Sequence, residues 1–146
     1  QQTSAPTLPT ADMQFTDLDG RSRTLQEMKG AVVLLDFWAT WCEPCKRSLA
    51  VYDTWQAELA DSGLRIVAAS VDGSPREVGA FAAQLAPRLT VWRDVDGDVA
   101  SKLDLPTMPT AYLIGRDGKV LWRHVGFEAG DAADIRARIE EALHAR

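Results

Sequence analysis

Apolar positions along this chain change period several times, from unbroken runs to stripes of three and four, and those changes mark its elements. Residues 32–38 read Val-Val-Leu-Leu-Asp-Phe-Trp, apolar on both faces, as in a strand buried inside a sheet. After it, Leu49, Tyr52, Trp55 and Leu59 recur at helical spacing, which predicts a helix with one buried face to about Ala60, stopped at Gly63. Residues 64–71 are a second apolar run of strand length. Ser74-Pro75-Arg76-Glu77 is a capping box with proline at the first helical position, so a helix should run to Leu85, weakened by Gly79. Residues 89–92 form a short strand candidate, and 99–103 a short helix. A strand at 111–114, an Asp117-Gly118 turn and 119–125 make a hairpin. The last helix opens at Asp131 and carries Ile135, Ile139 and Leu143 on one stripe. Upstream, 14–16 and 21–24 flank Asp19-Gly20 as a small hairpin, followed by a helical turn at 25–28 that Gly30 closes.

The order hairpin, β, α, β, α, β, α, β, β, α predicts an α/β domain with a mixed central sheet and helices on both faces. The domain should occupy 13–146, with the Thr-, Ser- and Pro-rich segment 1–12 as a polar linker or unstructured terminus. At 146 residues and 46% hydrophobic, the chain can bury one sizeable core. A net charge of −5 gives no support to a nucleic-acid partner. No run suits a bilayer span, since Asp36 interrupts even the most apolar strand. Asp94-Val95-Asp96-Gly97-Asp98 has the wrong spacing for a calcium loop, with Val99 and Leu105 where glycine and glutamate are required, and reads instead as a turn capping the next helix.

The chemistry concentrates in Trp41-Cys42-Glu43-Pro44-Cys45. These two cysteines are the only ones in the chain, which leaves none for a structural disulfide framework. Zinc would need two further ligands, and the only histidines, His124 and His144, are far off in sequence; no metal or other cofactor is expected. Cysteines at i and i+3 on the first turn of a helix are close enough for a disulfide, and the free N–H groups there stabilise a thiolate. Cys42 should sit at the exposed edge as nucleophile, and Cys45 one turn inward as resolving thiol. Pro44 suits the first turn, where its missing N–H is not needed. Glu43 places a negative charge beside Cys42, which opposes its thiolate and favours a reductant over an oxidase, unless solvent screens the charge.

Asp-Phe-Trp-Ala-Thr-Trp-Cys-Glu-Pro-Cys-Lys, residues 36–46, resembles the active-site segment of the thioredoxin superfamily, and most closely its TlpA and ResA branch. The resemblance implies a thioredoxin-like fold, with the helix and strand of 75–92 inserted relative to the smallest members, either to shape a substrate groove or simply to extend sheet and core. It implies that Met108-Pro109-Thr110 is the segment facing the cysteines, with a cis Met108–Pro109 bond and a Met108 backbone free to pair with an extended substrate. Asp36 matches the acid behind the second cysteine in thioredoxins, while the lysine that often accompanies it is replaced by Ala68. An unpaired buried carboxyl has a raised pKa, which suits a proton acceptor for Cys45. Ser48 stands where many relatives that serve cytochrome c maturation carry glutamate. The peroxidatic cysteine of peroxiredoxins follows a threonine by three residues, and here that position is Ala39. Trp41, Pro44 and Met108 offer an apolar rim, and Phe127 either joins it or plugs the core.

The function these residues imply is thiol–disulfide exchange, reducing disulfides of extracytoplasmic protein partners by a monomer that a membrane thiol donor recharges. The expected location is the periplasm, free or tethered by a removed anchor. The alternative is a partner-binding module of the same fold without turnover.

Overall fold

A computed structural model describes residues 9–145. Its elements are β1 (Gln14–Asp17), β2 (Ser22–Thr24), β3 (Val32–Trp38), α1 (Glu43–Leu59), β4 (Leu64–Ser70), α2 (Pro75–Leu85), β5 (Thr90–Arg93), α3 (Asp98–Lys102), β6 (Thr110–Ile114), β7 (Val120–Val125) and α4 (Asp131–His144). They form a seven-stranded sheet in the order β2-β1-β5-β4-β3-β6-β7. β3 lies at its centre, parallel to β4 and antiparallel to β6, so the sheet is mixed. The connections β3-α1-β4 and β4-α2-β5 both step the same way across the sheet. Right-handed crossovers therefore put α1 and α2 on one face.

The two faces bury separate clusters. Val32, Leu34 and Trp38 face α1, α2 and α4, through Leu49, Tyr52, Val78, Ile135 and Ile139. Val33, Leu35 and Phe37 face the opposite layer, made by Met13, Leu25, Met28, Val99 and Leu103. All seven residues of β3 are buried, which is why its sequence shows no alternation. Asp36 falls on the α1 side by that same alternation.

The predicted N-terminal hairpin is part of the main sheet, because β1 pairs β5 as well as β2. Asp17 organises its turn by accepting the N–H groups of Asp19 and Arg21, both at 2.9 Å. Within the segment expected to be a linker, Thr10–Asp12 form a tight turn, and the Thr10 hydroxyl donates to the Gly118 carbonyl at 2.8 Å. The rest of the proposed linker, 1–8, lies outside the described residues. The Asp94 turn caps α3 as the sequence suggests, its carboxylate accepting the N–H groups of Val99 and Ala100. The Ser74–Glu77 capping box is present with both of its bonds.

Gln56 is buried on α1 and shows no sign of its role in the sequence. Pairing between β4 and β5 begins only at Val67, so the start of β4 has backbone groups without a strand on that side. The Gln56 side chain supplies them, donating to the Leu64 carbonyl at 2.8 Å and accepting from the Ile66 N–H at 2.7 Å. An amide side chain thus stands in for a missing stretch of strand.

Candidate active site

β3 ends at Trp38 and α1 begins at Glu43, with Cys42 as the N-cap and Pro44 within the first turn. The Cys42 N–H is held by the Ala39 carbonyl, and Cys42 Sγ accepts the Cys45 N–H at 3.3 Å. That is the position at which a helix N-terminus presents free donors to an anion. Cys42 and Cys45 are joined as a disulfide with Cα atoms 5.3 Å apart. Contrary to the expected exposed edge, Cys42 is buried: it keeps 3% exposure and Cys45 none. Bonded to Cys45, its sulfur is drawn into the buried cluster with Ala39, against which Met108 packs.

The turn is clamped from across the sheet. Thr40 donates its N–H and its hydroxyl to the Asp72 carboxylate, at 2.9 and 2.6 Å. Ser70 in turn donates to the Asp72 carbonyl at 2.6 Å. Asp72 lies 32 positions away in sequence, and only the parallel pairing of β3 with β4 brings it beside the redox turn.

Asp36 sits in register with Ala68 on β4 and Ala111 on β6. It is 0% exposed, and neither carboxyl oxygen has a hydrogen-bond partner among the described residues. Burial pushes its pKa well above the ordinary carboxylate range. The methyl groups of the two alanines leave the acid no cation to pair with.

Glu43 is exposed and bonded to Lys46, Nζ to Oε2 at 2.7 Å, and that bond lowers its pKa. The Lys46 charge offsets that of Glu43, so the carboxylate bears on Cys42 less than it would alone. Lys46 also lies over the Phe81 ring at 5.6 Å from its centroid, and Phe81 stacks on Trp38 at 5.6 Å. Helix α2 therefore abuts the end of β3 that carries the cysteines.

The Met108–Pro109 bond is cis. Both ladders of β6 begin at Thr110, opposite Phe37 and Val125, so Met108 stands beyond the paired strand at the same end of the sheet as the cysteines. The Pro109 carbonyl is taken by the Gly126 N–H at 2.8 Å. Trp41 is 71% exposed, while Pro44 and Met108 are half-buried. Burial decides two further candidates. Thr110 is fully buried and its hydroxyl donates to the Thr107 carbonyl at 2.7 Å, so its side chain holds the loop and presents nothing to a ligand. Phe127 is buried edge-on against Tyr52, with centroids 5.9 Å apart, and is a core plug. Ser48 is buried as well, its hydroxyl bonded back to the Cys45 carbonyl at 3.1 Å. Among the described residues no cluster of metal-ligating side chains occurs, and no helix is long and apolar enough to cross a membrane.

Sequence and structure comparisons agree on one relationship. The AhpC/TSA family pattern matches residues 6–123. The chain is 32% identical over 106 residues to the thiol-disulfide oxidoreductase ResA of Bacillus thuringiensis subsp. konkukian, covering 73% of this chain and 61% of that one. It therefore spans about three-fifths of the length of that curated relative. A candidate thiol:disulfide interchange protein DsbE of Chlorobium tepidum superposes with a TM-score of 0.85 at 35% identity, over 96% of this chain and 99% of that one. The exposed lipoprotein thioredoxin Etrx1 of Streptococcus pneumoniae gives 0.73 at 28% identity, over 90% and 99%. With the redox turn, the buried acid and the mixed sheet in place, the chain belongs to the AhpC/TSA family and has the thioredoxin-like fold.

Proposed function

We propose that this protein is a thiol–disulfide oxidoreductase that reduces disulfides in extracytoplasmic protein partners. The observation that carries the reading is the placement of Cys42 at the N-cap of α1, bonded to an inner Cys45, on the sheet face that also holds the partnerless Asp36. In the dithiol form the Cys42 thiolate attacks one sulfur of the substrate disulfide, and the other leaves as a thiolate. Cys45 then gives its proton to Asp36, and its thiolate displaces the substrate from Cys42. The products are the Cys42–Cys45 disulfide and a second substrate thiol. Trp41, Pro44 and the unpaired Met108 backbone receive an extended segment around the substrate cysteine by strand addition. Ala39, three residues before Cys42, lacks the hydroxyl expected of a peroxidatic site, and a second thiol already lies one helical turn away.

A reductant outside the cytoplasm needs recharging, and a membrane thiol donor meets that need. The likeness to Etrx1, an exposed lipoprotein, supports such a location. The chain's likeness to a thiol-disulfide oxidoreductase, ResA, and to a thiol:disulfide interchange protein, DsbE, supports exchange chemistry with a disulfide-containing protein as partner. Ser48 stands where many relatives that serve cytochrome c maturation carry glutamate, which favours a general disulfide substrate over an apocytochrome.

The test is trapping. The Cys45→Ser protein should accumulate mixed disulfides through Cys42, and Cys42→Ser should lose reductase activity altogether. Trapping through Cys45 in the Cys42→Ser protein, with none in the other variant, would reverse the roles. Partner capture by noncovalent binding alone, with no disulfide turnover by the reduced wild type, would establish the binding-module alternative.

A further inference from the structure

The Met108–Pro109 segment, where strand addition takes place in the mechanism above, precedes the ladder of β6, which begins at Thr110. Two hydrogen bonds hold it. The Thr110 hydroxyl reaches back to the Thr107 carbonyl at 2.7 Å, and the Gly126 N–H reaches across to the Pro109 carbonyl at 2.8 Å. The second comes from a distant part of the chain, residues 126–130 between β7 and α4. Pro109 is therefore placed only as firmly as that loop.

The loop is irregular, and Gly126 opens it at φ 81°, where the chain leaves β7 in a left-handed conformation. Side chains tie its two ends together. His124, the penultimate residue of β7, is 2% exposed and puts Nε2 3.0 Å from Oδ2 of Asp131, the first residue of α4. The same Oδ2 accepts the Glu128 N–H at 2.7 Å, from the middle of the loop. One carboxylate oxygen thus joins the end of β7, the loop and the start of α4. Burial alone would raise the pKa of Asp131, but the Glu128 N–H and the His124 contact outweigh it and hold the acid below its ordinary range. A carboxylate only accepts hydrogen bonds, so the imidazole carries its proton on Nε2. Ile135 and Ile139 bury α4 against the sheet and seat the helix by themselves; what the His124–Asp131 contact adds is closure of the loop. No step of the exchange chemistry uses either residue.

We propose, on the oxidoreductase reading above, that His124 and Asp131 are positioning residues for a polypeptide substrate: their contact closes loop 126–130 so that Gly126 fixes Pro109 and, with it, the Met108 backbone. Strand addition needs the Met108 groups at one spacing from the incoming chain, and a displaced loop forfeits hydrogen bonds there. A small disulfide meets the sulfur of Cys42 alone and is indifferent to the loop. The pair therefore sets the preference for an extended polypeptide over a small disulfide.

Two disulfides with the same leaving group test this on the reduced protein. One is an extended peptide whose single cysteine is joined to nitrothiobenzoate; the other is 5,5′-dithiobis(2-nitrobenzoate), which offers no backbone to pair. Asp131→Ala should raise the half-saturating peptide concentration about fivefold or more, with the limiting rate and the rate on the small disulfide within about twofold of wild type. His124→Leu should do the same, and it serves if Asp131→Ala fails to fold. Asp131→Asn keeps an oxygen for both donors and should retain most of the affinity. Amide exchange at Gly126 should quicken about tenfold or more in Asp131→Ala, with that of Tyr112 in the β6 ladder unchanged. Wild-type half-saturation in folded Asp131→Ala and His124→Leu overturns the proposal. So does equal slowing on both disulfides, or an Asp131→Asn protein as weak as Asp131→Ala. Failure of the oxidoreductase reading looks different: wild-type protein then takes up the peptide and never releases its thiol in the second step.

Discussion

At the scale of single residues, the site is governed by where a charge can and cannot exist. Asp36 has a native pKa raised by burial, whereas in the unfolded chain it titrates near the ordinary 3.8 of an aspartate. Below that value the acid is neutral in both states and costs nothing. As pH rises toward the native pKa, the unfolded chain releases its proton first, so stability falls with pH across that window. Asn cannot titrate, so Asp36→Asn should match wild type in stability at the acid end of the window and become progressively more stable than wild type above it. Denaturant titrations across pH will show this, and a parallel pair of stability curves would mean that Asp36 is not buried as an acid. The same substitution should slow resolution of the mixed disulfide by about 10²- to 10⁴-fold, the usual contribution of a positioned acid or base. Single-turnover kinetics near neutral pH will measure it. Glu43 acts in the opposite setting: exposed and bonded to Lys46, it should shift the reduction potential only slightly when changed to Gln. The direction should be upward, because the Lys46 charge then faces Cys42 without a counter-ion, and equilibration with glutathione will read it.

At the scale of elements, the redox turn is held by features that belong to its neighbours. Asp72 on the loop after β4 clamps Thr40, and α2 stacks Phe81 on Trp38. α1 itself is anchored by Gln56, which satisfies the Leu64 carbonyl and the Ile66 N–H. Gln56→Ala should cost about 1–3 kcal/mol for each of those groups left unpaired. Urea unfolding will measure the loss, and an unchanged midpoint would show that the start of β4 finds other partners. Gln56→Leu should be no better, since a side chain of similar size fills the space but supplies neither donor nor acceptor. Because Gln56 lies at the end of α1 remote from Cys42, the rate of the first attack should be nearly unchanged in either variant.

At the scale of the molecule, the potential of the Cys42–Cys45 couple decides the direction of electron flow. A helix N-cap stabilises the Cys42 thiolate, but the Glu43 carboxylate is its neighbour in the chain and holds the Lys46 charge in an ion pair. That combination points to a reductant, with a potential on the order of −200 to −270 mV, well below the roughly −120 mV of a DsbA-type oxidant. Equilibrium with a glutathione buffer will measure it. A value near the oxidant figure would mean that electrons run the other way.

The sequence by itself determined the parts of this protein that depend on neighbours along the chain. The periods of apolar residues located every strand and helix of the sheet, the Ser74 capping box located the start of α2, and Cys42 with Cys45 declared their own chemistry through spacing on one helical turn. Asp36 could be read as buried because its strand is apolar on both faces. What only the tertiary structure decided are the relations between residues far apart in the chain. Whether Phe127 joins a rim or a core depended on its meeting Tyr52, and the burial of Thr110 on its place in the central ladder. The clamp from Asp72 to Thr40 and the amide of Gln56 beside β4 carry no local signature, because a hydrogen bond requires only that two groups meet in space. Asp36 faces α1 and His124 meets Asp131 because β6 lies between β3 and β7 at one particular register. A slip of one residue would turn every side chain of a strand to the other face, so the register, set by the packing of the whole core, determines which groups share the space behind the cysteines.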